Sequence, residues 1–594
     1  MSVAPSTVVN AVRLKPRLLT RSVSIRTVVL GLTLTVVSYL VLIPLVMLFY
    51  ASVRSTEDKL PFESTVTSLA NYVAVFTSPS LAPIFLDTFL FTLGSLAVGL
   101  PIAITLAWLL ERTSIPGRAW IANGILVPMT IPSLLSAIAW IQLLDPRTGL
   151  VNIAVRNVFG MSSDTGPFDI YTLTGMCFVQ GLRLVPSAYL MVAASFRAMD
   201  PSLEEQSAMA GRGVAQTTLR ITLPIMRPAL LAALIYFIIV VIESFDIPGL
   251  LGFTARIRVL STAIYWATHS EVGLPDYGLA STLGMIVLAA ALVLMWIYQR
   301  LTARQERFAT ITGKGYRPRQ VALGRWNGPA TVFCLGYIFI AVLLPFVMLI
   351  WTSVQPFYAI PSAESLSRVS FEGYFSIWRD GSVVRAMRNT LVLALVTSLA
   401  TMLIAVLVSW FVVRRQNTGR GLANYLATVS FLPQCVPSIV IGLAFIFVYV
   451  RFPIPLYGTL WIIALAMTTR YLAFSSRTTT AALVQVHGEL EEASQMSGAH
   501  WLKTLRRITV PLLAPALINV FLWVAVHAMQ ELSMAIMLYN PDTVVVSTMI
   551  WSMWQNGRTA DAAVLGVLLT MLSAMLLLSA HGIARLRGTG RSPK

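Results

Sequence analysis

Long apolar stretches alternate with short polar ones along the whole chain. A helix needs about 20 mostly apolar residues to cross the hydrocarbon core of a bilayer, and twelve stretches reach that length. The first six fall at roughly 27–50, 86–110, 120–144, 171–195, 228–250 and 279–299. The second six fall at roughly 328–352, 389–413, 422–450, 458–482, 515–539 and 562–584. This pattern predicts an all-α integral membrane protein with about 12 transmembrane helices.

Composition agrees. Hydrophobic residues make up 56% of the 594 and charged residues only 11%, where a soluble domain carries about 25% charged. Such a chain cannot cover itself with polar surface, so membrane lipid is its expected surrounding. The net charge of +18 could suggest nucleic acid. However, the basic residues sit in short segments between apolar stretches, with no continuous basic run and no RNA-binding signature. Most Lys and Arg fall in segments that are cytoplasmic if the N-terminus is inside, which predicts cytoplasmic N- and C-termini.

Five basic residues, Arg13, Lys15, Arg17, Arg21 and Arg26, precede the first apolar stretch. They resemble the basic region of a signal peptide. The stretch that follows is longer than a signal core and lacks a small-residue cleavage pattern, so it reads as a retained span. The expected organisation is a tail at 1–26, a first half at 27–299, a linker at 300–327, a second half at 328–584 and a tail at 585–594. The linker carries Arg304, Arg307, Lys314, Arg317, Arg319 and Arg325, broken by Gly313, Gly315 and Pro318. It reads as a solvated topology anchor. Cys177, Cys334 and Cys435 lie in or beside apolar stretches without metal-binding spacing and read as small packing residues.

An internal repeat carries most of the functional information. Residues 205–211 read E-Q-S-A-M-A-G, and I-T-L-P follows nine residues later. Residues 492–498 read E-A-S-Q-M-S-G, and I-T-V-P follows nine residues later. Glu205 and Glu492, Gly211 and Gly498, Ile221 and Ile508, and Pro224 and Pro511 share one offset of 287, which extends through Pro228-Ala229-Leu230 and Pro515-Ala516-Leu517. Six spans separate the copies. Because six is even, both loops face the same side, and the two six-helix repeats are parallel rather than inverted.

Each copy predicts a short helix. Asp200 can cap a helix begun by Pro201. Glu204 and Glu205, like Glu491 and Glu492, fall in a first turn, where the helix dipole favours anions. Gly211 and Gly498 suit a left-handed stop. Beyond the second copy, Trp501, Leu502, Leu505 and Ile508 share one helical face while Lys503, Arg506 and Arg507 lie elsewhere. That pattern predicts an interfacial amphipathic helix, ended by Pro511 and Pro515 before the next span.

These loops resemble the EAA loops of importer-type ABC transporter permeases. The fused two-half layout resembles the ferric-iron and thiamine permease group. So do Glu243-Ser244-Phe245, Gln530-Glu531-Leu532-Ser533, Leu260-Ser261-Thr262 and Val546-Ser547-Thr548. The resemblance implies a multi-pass permease of a bacterial cytoplasmic (inner) membrane that imports ferric iron, with thiamine, a phosphonate or another small solute as alternatives. It implies two copies of a cytoplasmic ABC ATPase, one docking on each loop, and a solute-binding protein outside. Gln206-Ser207 stands where the family usually has two alanines and Ala493-Ser494 is nearer the pattern, so the two docking contacts are expected to differ. The chain has no G-x-x-x-x-G-K-[ST] loop. ATP and Mg are therefore expected to be used by the partner, with no cofactor and no catalytic residue in this chain.

Charges within spans are costly and mark functional or paired positions. Arg183 and Arg470 lie near the middle of spans four and ten and share the 287 offset. Glu243 and Asp246 fall near the end of span five; Glu531 falls in span eleven, one turn after His527. Each half is expected to pair its own residues, Arg183 with Glu243 and Arg470 with Glu531. Such pairs either hold the helices statically or line the pathway and exchange partners as it opens. The five histidines are scattered and predict no metal site. Twelve spans in two halves also suit a secondary transporter, which needs no repeated Gly- and Pro-punctuated cytoplasmic loop. A membrane enzyme would need an acid/base or nucleophile motif such as H-E-x-x-H or G-x-S-x-G, and neither occurs.

Overall fold

The computed structural model describes residues 24–54, 61, 63–200, 202–269, 275–305, 321–450 and 455–588. The expected tail arginines up to Arg21, the helix-starting Pro201, and the linker residues Arg307, Lys314, Arg317 and Arg319 lie outside them. The described residues are mostly helical, with two isolated β-bridges and no longer strand.

Nine helices among the described residues are long and apolar enough to cross a membrane, and two further pairs make bent spans. The remaining position of the twelve is filled by Leu460–Val484. Its 25 residues rise about 37 Å, and its Ser, Thr and Arg content lowers its hydropathy.

The expected spans 120–144 and 422–450 are each broken. Arg118–Thr130 meets Ser133–Leu144 at 98°, and Arg420–Cys435 meets Ser438–Tyr449 at 110°. The cause is local. Ile131 and Val436 are extended (φ −88° and −101°) because Pro132 and Pro437 follow them, and a residue before proline is pushed out of the helical region. Each distal leg has 12 residues, about 18 Å, which is too short to cross alone.

A second expectation is also corrected. Pro511 and Pro515 do not end a separate interfacial helix. Trp501–Gln530 runs on as one span, and Val214–Ile242 does the same in the first half. Both contain a π-helical turn, Thr218–Thr222 and Leu505–Thr509, just before Pro224 and Pro511. The wider turn shifts the hydrogen-bond register, so the proline ring and its missing N–H are accommodated without a break. Leu505 and Thr509 are buried, Arg506 and Arg507 exposed.

The first span of each half packs on the last span of its own half, Tyr277–Gln305 or Thr559–Gly588, and also reaches across to the other half. Ile25–Ser52 packs on Ser438–Tyr449 and Arg420–Phe431 of the second half. Asn327–Ile338 and Leu344–Ser353 pack on Arg118–Leu126 and Ser133–Leu144 of the first. Polar side chains in these contacts find partners, as buried polar groups must. Thr469 donates to the Leu40 carbonyl at 3.4 Å, and Tyr337 donates to the Leu182 carbonyl at 3.3 Å. Leu182 and Thr469 are themselves 287 residues apart, so these crossing contacts follow the repeat.

Within the first half, Ala82–Arg112 and Leu173–Ala198 approach closely. A Cβ on Gly99 would sit 2.6 Å from the Gly181 carbonyl oxygen. Small residues let helix backbones meet in a bilayer, where apolar packing has no aqueous driving force.

Candidate coupling loops and inter-half charge site

The repeated motifs form two short helices, Ser202–Met209 and Glu489–Met496. The Asp200 side chain accepts the Ser202 N–H at 2.9 Å, the cap expected from the sequence. Gly211 (φ 76°) and Gly498 (φ 81°) adopt the left-handed conformation that a side chain would oppose.

Each short helix is locked to its half by the first glutamate of its pair. In the first copy, Glu204 accepts from the Thr222 hydroxyl at 2.7 Å and lies 3.4 Å from the buried Arg112 guanidinium. Arg112 also donates to the Phe196 and Met199 carbonyls at 2.9 and 3.0 Å, closing the end of the preceding span. In the second copy, Glu491 accepts from Thr509 at 3.1 Å, from the Trp410 indole at 3.1 Å, and from Arg414 at 3.2 and 3.3 Å. Arg414 also donates to the Val486 carbonyl at 3.0 Å. Ser207 bonds Thr217 at 2.8 Å, and Ser494 bonds Thr504 at 2.9 Å.

Thr222 and Thr509 sit in the I-T-L-P and I-T-V-P motifs at the 287 offset, so their role was available to a reading of the repeat that asked what the threonine does. Arg112 and Arg414 occupy the ends of matching helices, but their spacing departs from 287, and the repeat signal passes over them. Glu205 is half-buried and Glu492 exposed, so the second glutamate of each pair is available to a partner. Leu203 and Met209 are 43% and 81% exposed, and their counterparts Leu490 and Met496 are 49% and 89% exposed. Ile221 and Ile508 are half-buried at the π turns, and Pro224 and Pro511 stand just after those turns within the same continuous spans.

The intramembrane charges meet between the halves. Arg470 contacts both oxygens of Glu243, at 2.6 and 2.8 Å, so the ion pair crosses from one half to the other. The expected pairs Arg183 with Glu243 and Arg470 with Glu531 are not formed. The repeat axis explains this: the turn after each fifth span projects toward the opposite half, and Asp246 meets its own repeat counterpart Ser533 there at 3.5 Å. Both arginines also serve the bends. Arg183 donates to the Ile131 carbonyl at 3.0 Å, and Arg470 donates to Pro433 and Val436 at 2.8 and 3.1 Å. Carbonyls released by a bend inside a membrane need such donors.

Glu531 accepts from the Tyr471 hydroxyl and from the Met534 N–H, each at 3.2 Å. His527 is stacked on Trp523 at 3.7 Å between ring centres, and its Nδ1 is 2.8 Å from the Trp523 carbonyl oxygen. That nitrogen is therefore turned back along its own helix, away from Glu531. The Arg470 and Glu243 side chains are 10% and 16% exposed, so the ion pair is largely buried. Among the described residues, no group of three or more His, Cys, Asp or Glu is placed to hold a metal ion.

Residues 402–586 match the family model of the binding-protein-dependent transport system inner membrane component. Over 542 residues, 91% of this chain and 75% of the relative, the chain is 26% identical to a ferric transport system permease protein, FbpB, of Actinobacillus pleuropneumoniae. A second relative, an Fe(3+)-transport system permease protein of Haemophilus influenzae, is 24% identical over 91% of this chain and 96% of its own length.

The chain is thus similar to ABC-importer permease components along most of its length.

A shorter permease relative from Salmonella paratyphi A, named for 2-aminoethylphosphonate transport, is 26% identical over 208 residues, 35% of this chain and 77% of its own. A solved bacterial ABC transporter for alginate import aligns with 44% of this chain and 95% of its own, at 18% identity and a TM-score of 0.36.

Proposed function

We propose that this permease forms the complete membrane pathway of an ATP-driven importer for ferric iron. A solute-binding protein delivers the iron on the outer face. Two ABC ATPase subunits dock in the cytoplasm, one on Ser202–Met209 and one on Glu489–Met496, and they alone use ATP and Mg. The observation that carries this reading is the twin lock of the loop helices. Glu204 is held by Arg112 and Thr222, and Glu491 by Arg414 and Thr509, while Leu203, Met209, Leu490 and Met496 stay exposed. A helix fixed rigidly to its half by one face and apolar on the other can pass a partner's movement to the spans. The second copy has more donors on its glutamate, so the two docking contacts differ in stiffness. The distribution of Lys and Arg supports cytoplasmic termini.

Iron is supported by the two relatives of near-full coverage and their printed names. The pathway needs no tight site, because capture is the binding protein's task. A phosphonate reading is favoured by the Salmonella relative, which matches a smaller part of the chain.

Uptake into vesicles holding the permease, the ATPase and a loaded binding protein tests these readings. ATP-dependent uptake of ferric iron, and not of thiamine or 2-aminoethylphosphonate, is expected. Uptake of one of those solutes instead replaces the substrate. Uptake that ignores the ATPase overturns the importer reading in favour of a secondary transporter.

A further inference from the structure

The halves meet with different chemistry at matching positions. Arg470 matches Arg183, Gln530 matches Glu243, and Glu531 matches Ser244. Of the two arginines, Arg470 has a carboxylate in contact, and its guanidinium is divided between the halves. Nη1 donates to the Pro433 and Val436 carbonyls of its own half. Nη2 reaches across to Glu243. A second acid stands on Arg470's own side. Glu531 follows the Gln530 that matches Glu243, and it interacts electrostatically with Arg470 without touching it. Its two oxygens are held at 3.2 Å, one by Tyr471 and one by the Met534 N–H. The Ser533 N–H also donates to this carboxylate; with about four acceptor sites on the two oxygens, room for one further donor is left.

We propose that Glu531 is a positioning residue for transport, the second seat of the Arg470 guanidinium, taken when the halves part and Arg470 releases Glu243. Nη1 stays anchored to the bend of the second half, so parting the halves breaks only the Nη2 contacts. Without a replacement, that step would strand a cation inside the bundle, where an unpaired charge is strongly unfavourable. Glu531 travels with Arg470 and offers the replacement. At the matching position no carboxylate of the described residues touches the arginine, and Asp246 acts on Arg183 only from a distance. Arg183 rests on the Ile131 carbonyl, and Gln530 donates to the Thr130 carbonyl at 3.1 Å and the Ser573 hydroxyl at 3.3 Å. The charged contact between the halves is therefore matched at the other position by a neutral one, Gln530 on the Thr130 carbonyl. The inference rests on the importer reading above.

The test uses the full complex of permease and ATPase subunits in lipid nanodiscs, with a solute-binding protein loaded with ferric iron as the stimulus. ATP hydrolysis is measured with and without that protein. Glu531→Gln is expected to lower the stimulated-to-basal ratio at least threefold, and Glu531→Asp to recover at least half of the loss. Glu243→Gln is expected to act in the opposite sense, raising hydrolysis without the binding protein at least threefold. A smaller change in Glu531→Gln, no recovery in Glu531→Asp, or failure of Glu531→Gln to assemble with the ATPase overturns the second seat. A parent complex whose hydrolysis ignores the iron-loaded protein overturns the ferric-iron importer reading itself, and this proposal with it.

Discussion

Asp246 and Ser533 lie 3.5 Å apart, and they are the same position of the repeat, 287 residues removed from each other. Two equivalent residues can meet only close to the axis that relates the halves. Replacing Ser533 by Asp puts two carboxylates at that contact, and like charges this close cannot both ionise without cost. Ser533→Asp is expected to lower the thermal unfolding midpoint of the purified permease by several degrees, and Ser533→Asn to leave it within about 2 °C, since a neutral substitution of modest size changes stability little. Equal midpoints for the two variants would remove this residue from the axis.

The arginines beneath the loop helices give a second expectation. Arg414→Ala leaves Glu491, only 6% exposed, without its counter-ion. Removing one partner of a buried pair costs about 3–5 kcal/mol. Arg112→Ala strands Glu204, which is 12% exposed and better reached by water, so its loss is expected to be smaller. Denaturation of the two variants checks the order. A larger loss for Arg112→Ala would contradict the unequal stiffness of the two loops.

The exposed methionines separate docking from folding. Met209 and Met496 touch little in the permease, so Met209→Asp and Met496→Asp are expected to shift stability by no more than about 0.5 kcal/mol. Each is expected to cut ATPase co-purification at least tenfold, because an aspartate must be desolvated in an apolar contact. Full co-purification of the double variant would exclude the two helices as the docking site.

Close packing in the first half is tested at a single atom. Gly99→Ala forces a Cβ to 2.6 Å from a backbone oxygen, which cannot swing aside. Overpacking of this kind costs about 1–3 kcal/mol. Gly31→Ala, with open space around its Cβ position, serves as the control and is expected to be neutral or stabilising by its better helix propensity. Unfolding of the detergent-solubilised variants distinguishes them.

Much of this protein is legible without coordinates. Apolar runs of spanning length, the 287 offset, the glutamate and glycine of each loop, and the prolines before the bends are local features, because a helix in lipid must satisfy its backbone from its own residues. The left-handed Gly211 and Gly498 follow from the same local logic. Pro511 misled because its effect depends on the preceding turn. A π turn at Leu505–Thr509 absorbs it, and the motif alone does not reveal that register.

The partners of the buried charges lay beyond the sequence. Arg470 had an acid in its own half, Glu531, and one in the other, Glu243, with the same chemistry and comparable depth. The rotation of each helix and the axis between the halves decided for Glu243. The same packing carried each first span against the other half as well as its own and brought Arg414 beneath Glu491, at a spacing the repeat does not share. The sequence alone determined which segments enter the membrane, that they come as two parallel copies, and where each copy presents its loop. Only the tertiary structure decided which copy completes the other, because pairing across the halves depends on relative position, which no local pattern encodes.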